Sequence, residues 1–380
     1  MPTQDYKFSF FLVILHPNIF LWNEYTMSLH ILHIFNPEHD LALANNDNHF
    51  VAPHVARQMR SDLSYLPFLW ANEDDIILVD NIDTATRGVR TLHRQLPRVT
   101  FATAAQLSGL TIDGVSVWGW DKSLLRELRN SKIDTALLPS ASILQTIRRL
   151  SSRSFAMTVL REMCSRLDGL CGESAACHTL EEVRECAAKW NHVVIKAPWS
   201  SSGRGIRFAE DTIEEPLSGW CQNILKKQEL LCVEPYYNKI RDFGMEFESD
   251  GKGKITYCGL SLFKTENGTY TGNIIATERV KSGMISNYFP DGLLKRVREE
   301  LQLILGDSFN GRYRGPFGVD MMIVATGEGR GFTVHPCVEI NLRRTMGHVA
   351  LTLTPDDNET QYLMRITNTN HNYQVKLTKQ

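Results

Sequence analysis

The chain has 380 residues, with 41 Lys plus Arg against 43 Asp plus Glu, giving a net charge of −2. That balance excludes a dedicated nucleic-acid binder built on a strong basic excess, though not a local basic cleft. A hydrophobic fraction of 43% with 22% charged residues excludes a mostly disordered or fibrous chain, and the length predicts two or three domains of about 150 residues each.

The amino terminus carries an apolar run from Phe8 to Leu15, with Lys7 before it and His16-Pro17 after it. The run falls well short of the about 20 residues needed to span a bilayer. No small-x-small cleavage site follows it. Residues 1–26 are read as an extension outside the fold, with Met27 as a second start. A secretory or anchor signal is the competing reading.

From Leu29 to Phe35 the chain reads as a buried first strand, ending in the polar turn Asn36-Pro37-Glu38-His39-Asp40. A helix follows over Val51–Leu66. Asp75–Asp80, Thr100–Phe101, Val115–Trp118 and Thr135–Pro139 read as further strands, with helical patterns between them such as Ser123–Asn130. Strands alternating with helices predict an α/β layer on a mostly parallel sheet. Ser151-Ser152-Arg153-Ser154 marks a boundary before an amphipathic helix, Phe155–Arg166. His178–Trp190 reads as a helix with Thr179 as N-cap and Glu181 and Glu182 in its first turn.

Beyond it, His192–Ala197, Ile206–Phe208 and Leu230–Glu234 read as strands, and Met245–Glu248 with Ile255–Leu262 as an antiparallel meander. Pro290–Leu305 is an amphipathic helix. Gly318–Val324 and Thr333–Asn341 pair as a hairpin across the insert TGEGRG. The polar, Asn-rich last 25 residues predict a weakly ordered tail. The eight cysteines form no CxxC pair and read as reduced thiols of a cytosolic protein.

Three constellations carry chemistry. The strand ending in Lys196 runs into Pro198-Trp199-Ser200-Ser201-Ser202-Gly203-Arg204-Gly205. Free N–H groups and hydroxyls in such a loop can cradle phosphate, with the lysine as a point charge. The spacing is not that of a P-loop, and a solvated hairpin is the bland alternative. Next, Glu339 and Asn341 stand two apart on a strand and so share a face, and an antiparallel partner would bring Asp320 to it. Two carboxylates and an amide suit a hard cation completed by phosphate and water; the alternative is a polar strand face without metal. Third, Glu234-Pro235-Tyr236 and, eight residues past Glu234, Asp242 lie where a strand end can meet adenine and ribose.

In order, a lysine with a Gly-rich loop, V-E-P-Y, G-V-D-x-M and V-E-I-N-x-R resemble the motifs of the ATP-grasp superfamily over roughly residues 150–355. The resemblance implies an α/β and α+β chain: a Rossmann-like pre-ATP-grasp domain (27–150), a small subdomain (151–235), a C-terminal subdomain with the metal site (236–355) and a polar tail (356–380). It implies ATP as cofactor, with Lys196 and Arg153 on the phosphates and Ser200, Ser201, Ser202, Gly203, Arg204 and Gly205 as the lid over them. Glu234, Tyr236 and Asp242 would hold the nucleoside. Asp320, Glu339 and Asn341 would bind Mg²⁺, with Mn²⁺ as a substitute. Arg343 would steady the reacting phosphate, and Lys264 and Arg314 would stand near an acyl phosphate.

The implied activity joins a small-molecule carboxylate to an amine or thiol in the cytoplasm, without nucleic acid or membrane. Many members are homodimers, but the sequence carries no interface signal. A phosphotransferase on the same fold and a non-catalytic nucleotide-binding regulator are the alternatives. The proline common after the metal-binding asparagine is missing here. Asn36, Glu38, His39 and Asp40 are candidates to touch the acceptor, or else only a capped strand-to-helix turn. Lys264–Asn273 reads as a hairpin turn, with a mobile substrate loop as the alternative. His348 is read as structural rather than a proton carrier.

Overall fold

The computed structural model describes residues 29–92, 97–200, 205–266, 269–327, 331–369 and 372–380. The amino-terminal extension and the loop residues Ser201 to Arg204 lie outside these. Among the described residues no helix is long and apolar enough to cross a membrane.

Four short apolar strands, β1 (Ile31–Ile34), β2 (Ile76–Leu78), β3 (Thr100–Ala102) and β4 (Gly114–Val117), form a parallel sheet of order β3-β2-β1-β4. Leu32, Ile34, Ile76 and Leu78 pack into one core and Ile77 into another, because helices cover both faces of the two central strands. These helices are α1 (His39–Asn45), α2 (His54–Asp62), α3 (Ile82–Arg90), α4 (Lys122–Asn130) and α5 (Ala141–Leu150). Asn81, Asp121 and Ser140 cap the last three through their side chains. With β1 between β2 and β4, the strand order reverses beside the Asn36–Asp40 turn, where such sheets open a crevice.

Two predicted elements differ here. Thr135–Pro139 is not a strand but a single 3₁₀ turn, Thr135–Leu137, whose Ala136 N–H is taken by the Asp134 carboxylate. An aspartate that bonds its own downstream backbone competes with a ladder, and Pro139 has no donor to offer one. The long helix over Val51–Leu66 is shorter, because Pro53 sets its start, and a separate 3₁₀ turn covers Leu66–Leu69.

The second layer begins with α6 (Arg153–Arg166), followed by β5 (Ala175–Cys177), α7 (Leu180–Trp190), β6 (His192–Lys196), β7 (Ile206–Glu210), α8 (Leu217–Gln228) and β8 (Leu231–Pro235). Thr179 and Glu182 close a capping box at the start of α7. The sheet is antiparallel, of order β5-β8-β6-β7, over a core that includes Val183, Val193, Ile195, Cys221 and Val233.

The third layer is a seven-stranded sheet of order β13-β12-β9-β10-β11-β14-β15. Its strands are β9 (Lys239–Ser249), β10 (Ile255–Glu266), β11 (Thr269–Ile275), β12 (Gly315–Thr326), β13 (Gly331–Asn341), β14 (Tyr362–Thr369) and β15 (Asn372–Lys379). Helices α9 (Glu278–Ile285), α10 (Leu293–Phe309) and α11 (Met346–Thr352) pack on it. Phe243, Phe247 and Phe317 meet Val297, Leu301 and Phe309 of α10 in one core.

The expected weakly ordered tail is instead the hairpin β14–β15. Tyr373 and Val375 alternate with exposed polar residues, so this stretch of strand turns one face inward while its other face stays wet. Met364 and Val375 pack with Phe35, Leu63 and Val349, and the Asp62 carboxylate accepts the Tyr373 N–H at 2.8 Å. The tail thus fastens the seven-stranded sheet to the parallel-sheet layer.

One buried histidine sets a pH dependence. His335 on β13 is 0% exposed, and neither ring nitrogen has a hydrogen-bond partner. Burial pushes its pKa down from 6.5 to about 4. The unfolded chain binds this proton first, so stability is complete above pH 6.5 and falls as pH drops toward 4. The full loss approaches ~3 kcal/mol at one proton over that interval. Urea midpoints between pH 7.5 and 4.5 should show His335→Leu losing this slope; an unchanged slope would assign it to other groups.

Candidate functional site

The parallel-sheet layer and the seven-stranded sheet enclose a cleft of about 470 Å³. Pro37 and Asp40 from the strand-end turn face Asp320, Glu339, Asn341 and Arg343 from the β12–β13 hairpin and its exit.

The hairpin register places Asp320 directly opposite Glu339, and Gly318 opposite Asn341. All three polar side chains therefore share one face. Asn341 Nδ2 donates to Asp320 Oδ2 at 3.0 Å. Burial, with Glu339 and Glu246 nearby, pushes the Asp320 carboxyl up to about 8. Carboxylates held this way are short of positive charge, which fits a hard cation. Among the described residues no three His, Cys, Asp or Glu side chains gather to cage a metal alone. A cation here would rest on two carboxylates and an amide, with the remaining oxygens from phosphate or water. Asn341 Oδ1 accepts from Arg343 Nη2 at 2.9 Å and keeps a second lone pair that an ion could use.

Arg153, at the start of α6, ties three segments together. It donates to Glu339 Oε2 at 2.8 Å, to the Ala197 carbonyl at 2.7 Å and to Ser200 Oγ at 2.8 Å. Arg153 and Ser200 both reach the cleft wall. Gly205 closes the loop tightly, since a Cβ there would meet Ser200 Cβ at 2.3 Å.

Lys196 and Glu234 form a closed pair at 2.5 Å, with side chains 7% and 6% exposed. Neither lines the cleft described above. Tyr236 is half exposed, stacks on His192 at 4.0 Å, and spends its backbone N–H on the His192 carbonyl. That N–H is therefore not free for an adenine edge. Asp242 accepts from Lys239 Nζ at 2.7 Å and from the Thr265 hydroxyl.

Two expected basic groups stand elsewhere. Lys264 is exposed on β10, while its neighbours Phe263 and Thr265 line the cleft; strand alternation turns it away. Arg314 is exposed beside Gly251, six residues before Asp320 on an extended strand, about 20 Å away. Neither is brought to the acidic face.

Arg343 is. Its guanidinium grips Asp40 with a fork, Nε to Oδ1 at 2.8 Å and Nη2 to Oδ2 at 2.6 Å. Burial opposes charge on Asp40, yet Arg343 holds its carboxyl below the ordinary range. The other residues of the turn serve the fold. Asn36 Nδ2 donates to the Gly119 carbonyl and to Asp121, His39 contacts Asp121 at 3.3 Å, and Glu38 accepts from Arg60 at 2.8 Å. Only Asp40 and Pro37 of this turn line the cleft.

No family model matches the chain, and no curated protein matches it. Solved structures do. The biotin carboxylase–β,γ-ATP complex of Campylobacter jejuni superposes with a TM-score of 0.51 at 12% identity, covering 90% of this chain and 76% of that one. The chain has the ATP-grasp fold. Staphylococcus aureus N5-carboxyaminoimidazole synthetase complexed with ADP matches at 0.49 and 13% identity, over 92% and 85% of the two chains. An ATP-grasp superfamily protein of Archaeoglobus fulgidus matches at 0.48 and 12%, over 93% and 100%.

Within the ATP-grasp fold, sequence reasoning missed the floor of the cleft. Glu246, Ser261, Tyr270 and Asn273 line it from β9, β10 and β11. A signal was present: in FGMEFES a glutamate recurs where strand alternation gives the face of Gly244 and Asp242. His348 proves to be a cap: Thr345 and His348 form a capping box at the start of α11.

Proposed function

We propose that this protein is an ATP- and Mg²⁺-dependent ligase joining a small-molecule carboxylate to an amine or thiol through an acyl phosphate, with release of ADP and phosphate. The observation that carries the reading is the acidic face of Asp320, Glu339 and Asn341, which shares one cleft with the guanidinium groups of Arg153 and Arg343. The domain division expected from the motifs goes with it: 27–150, 151–235 and 236–355. The small net charge favours small-molecule partners over nucleic acid, and eight free thiols favour a reducing cytoplasm.

Asp320, Glu339 and Asn341 would hold Mg²⁺, which when bound neutralises charge on the transferring phosphoryl group. Lys196 and Arg153 bind and orient the phosphates, and Ser200 to Gly205 covers them. Glu234, the chain around Tyr236, and Asp242 hold the nucleoside. Arg343 releases Asp40 to meet the reacting phosphate. The substrate carboxylate attacks the γ-phosphate, ADP leaves, and the nucleophile then displaces phosphate from the acyl carbon. No protein nucleophile is needed; positioning and charge supply the rate.

Thermal melting of the protein with ADP, ATP and GTP, with and without Mg²⁺, tests the first half. A ligand that binds only the folded state at a hundred times its Kd stabilises by about 2.7 kcal/mol. A Mg²⁺-dependent rise with ATP or ADP is expected, and no shift at millimolar nucleotide would end the ligase reading. Phosphate release that requires carboxylate and nucleophile together separates a ligase from a phosphotransferase.

A further inference from the structure

One buried carboxylate in the cleft has no partner suited to it. Glu246 is 4% exposed, and its Oε2 has no hydrogen-bond partner. His348 Nδ1 lies 3.0 Å from it. That nitrogen is already the acceptor of the α11 capping box, with the Thr345 N–H at 3.2 Å. The other ring nitrogen faces the Phe247 carbonyl at 3.2 Å and so carries the ring proton. With the ring proton assigned in this way, two acceptors face each other with no hydrogen between them. Among the described residues no Lys or Arg pairs with Glu246. Lys281 is held by the Leu260 carbonyl and Glu278, and Arg344 lies over Trp70 at 4.4 Å.

The surroundings are shaped around this carboxylate. A Cβ at Gly347 would fall 1.8 Å from Glu246 Oε1 and 2.6 Å from Ser261 Oγ, and one at Gly318 would fall 2.6 Å from Oε2. Asn273 Nδ2 donates to Ser261 Oγ at 2.9 Å, and Tyr270 donates to Asn273 Oδ1. Across the sheet Glu246 stands opposite Gly318, and Gly244 opposite Asp320. Glu246 is thus the diagonal neighbour of Asp320, about 7–8 Å from it.

We infer that Glu246 is the recognition point for the amine of the acceptor substrate, which enters as an ammonium, donates to the Glu246 carboxylate beside the Ser261–Asn273–Tyr270 wall, and leaves one proton on that carboxylate when the nitrogen attacks the acyl carbon. An ammonium brings the positive charge and three N–H donors this acceptor-only corner lacks; a thiol brings one weak donor. The inference rests on the ligase reading and selects amine over thiol within it. The diagonal spacing puts the bound nitrogen one side chain away from the acidic face.

Saturation-transfer NMR in an amine-free buffer, with and without ADP and Mg²⁺, tests this with ethanolamine and its uncharged counterpart ethylene glycol as probes. The full chain should bind ethanolamine and not ethylene glycol. Glu246→Gln should lose ethanolamine at least tenfold, while ADP affinity stays within about twofold and the melting temperature does not fall. Ethanolamine bound equally by both proteins, or by neither, overturns the inference. So does a Glu246→Gln melting temperature several degrees lower with altered His348 ring ¹⁵N shifts, which would make Glu246 the ion-pair partner of a charged imidazole. Absence of ADP binding tells against the ligase reading separately, since the amine is also read without nucleotide.

Discussion

Glu339→Gln should cut Mg²⁺-dependent turnover by about 10³-fold while leaving the fold intact, a loss typical of removing one preorganised charge from a reacting site. The substitution keeps the shape of the side chain and deletes only its charge. Arg153 still finds an amide oxygen where it found a carboxylate, so the three-way tie to Ala197 and Ser200 survives. Arg153 is only 5% exposed and loses its counter-charge but keeps the hydrogen bond, so the stability cost is about 1–3 kcal/mol. What changes is the cation site: one of two carboxylates facing each other across the β12–β13 ladder is gone. Chelating Mg²⁺ from the unmodified protein should cause the same loss, and chelation should add nothing to the variant. A variant that keeps its Mg²⁺ dependence and rate would place the ion elsewhere.

Lys196→Ala should have two separable effects. Glu234 would be left buried with no counter-charge, which costs ~3–5 kcal/mol when one partner of a buried pair is removed. At this chain length that lowers the melting temperature by about 4–6 °C. Nucleotide binding should weaken at least tenfold if the ammonium also meets phosphate. The double variant Lys196→Met with Glu234→Gln removes the stranded charge, so it should regain most of the stability without regaining ADP affinity. Full ADP affinity in the double variant would remove Lys196 from the phosphate site. An unchanged melting temperature in Lys196→Ala would mean that the pair at 2.5 Å contributes nothing net.

Local chemistry made some elements legible in advance. The α7 capping box stands in the letters T-x-x-E, and β6 and β8 are apolar runs closed by a charged residue. Asp320, Glu339 and Asn341 fell on one face because strand period and hairpin register leave little freedom once the antiparallel pairing is assumed. The tail was misread for the converse reason. Its composition is polar, and the partner that gives Met364 and Val375 something to bury lies in the parallel-sheet layer, far away in sequence.

The sequence by itself determined many of the strands and helices, the order of the motifs, and the pairing of the acidic hairpin, because period, caps and turn residues act over a few positions. Only the tertiary structure decided which charges meet. Arg343 and Asp40, or Glu339 and Arg153, are joined by layers packed over hundreds of residues, and no local pattern encodes that distance. It also decided that Lys264 and Arg314 face away, and that Glu246 is buried in a corner where only glycines fit. A carboxylate's partners depend on the strands beside its own, and those are chosen by the packing of the whole sheet.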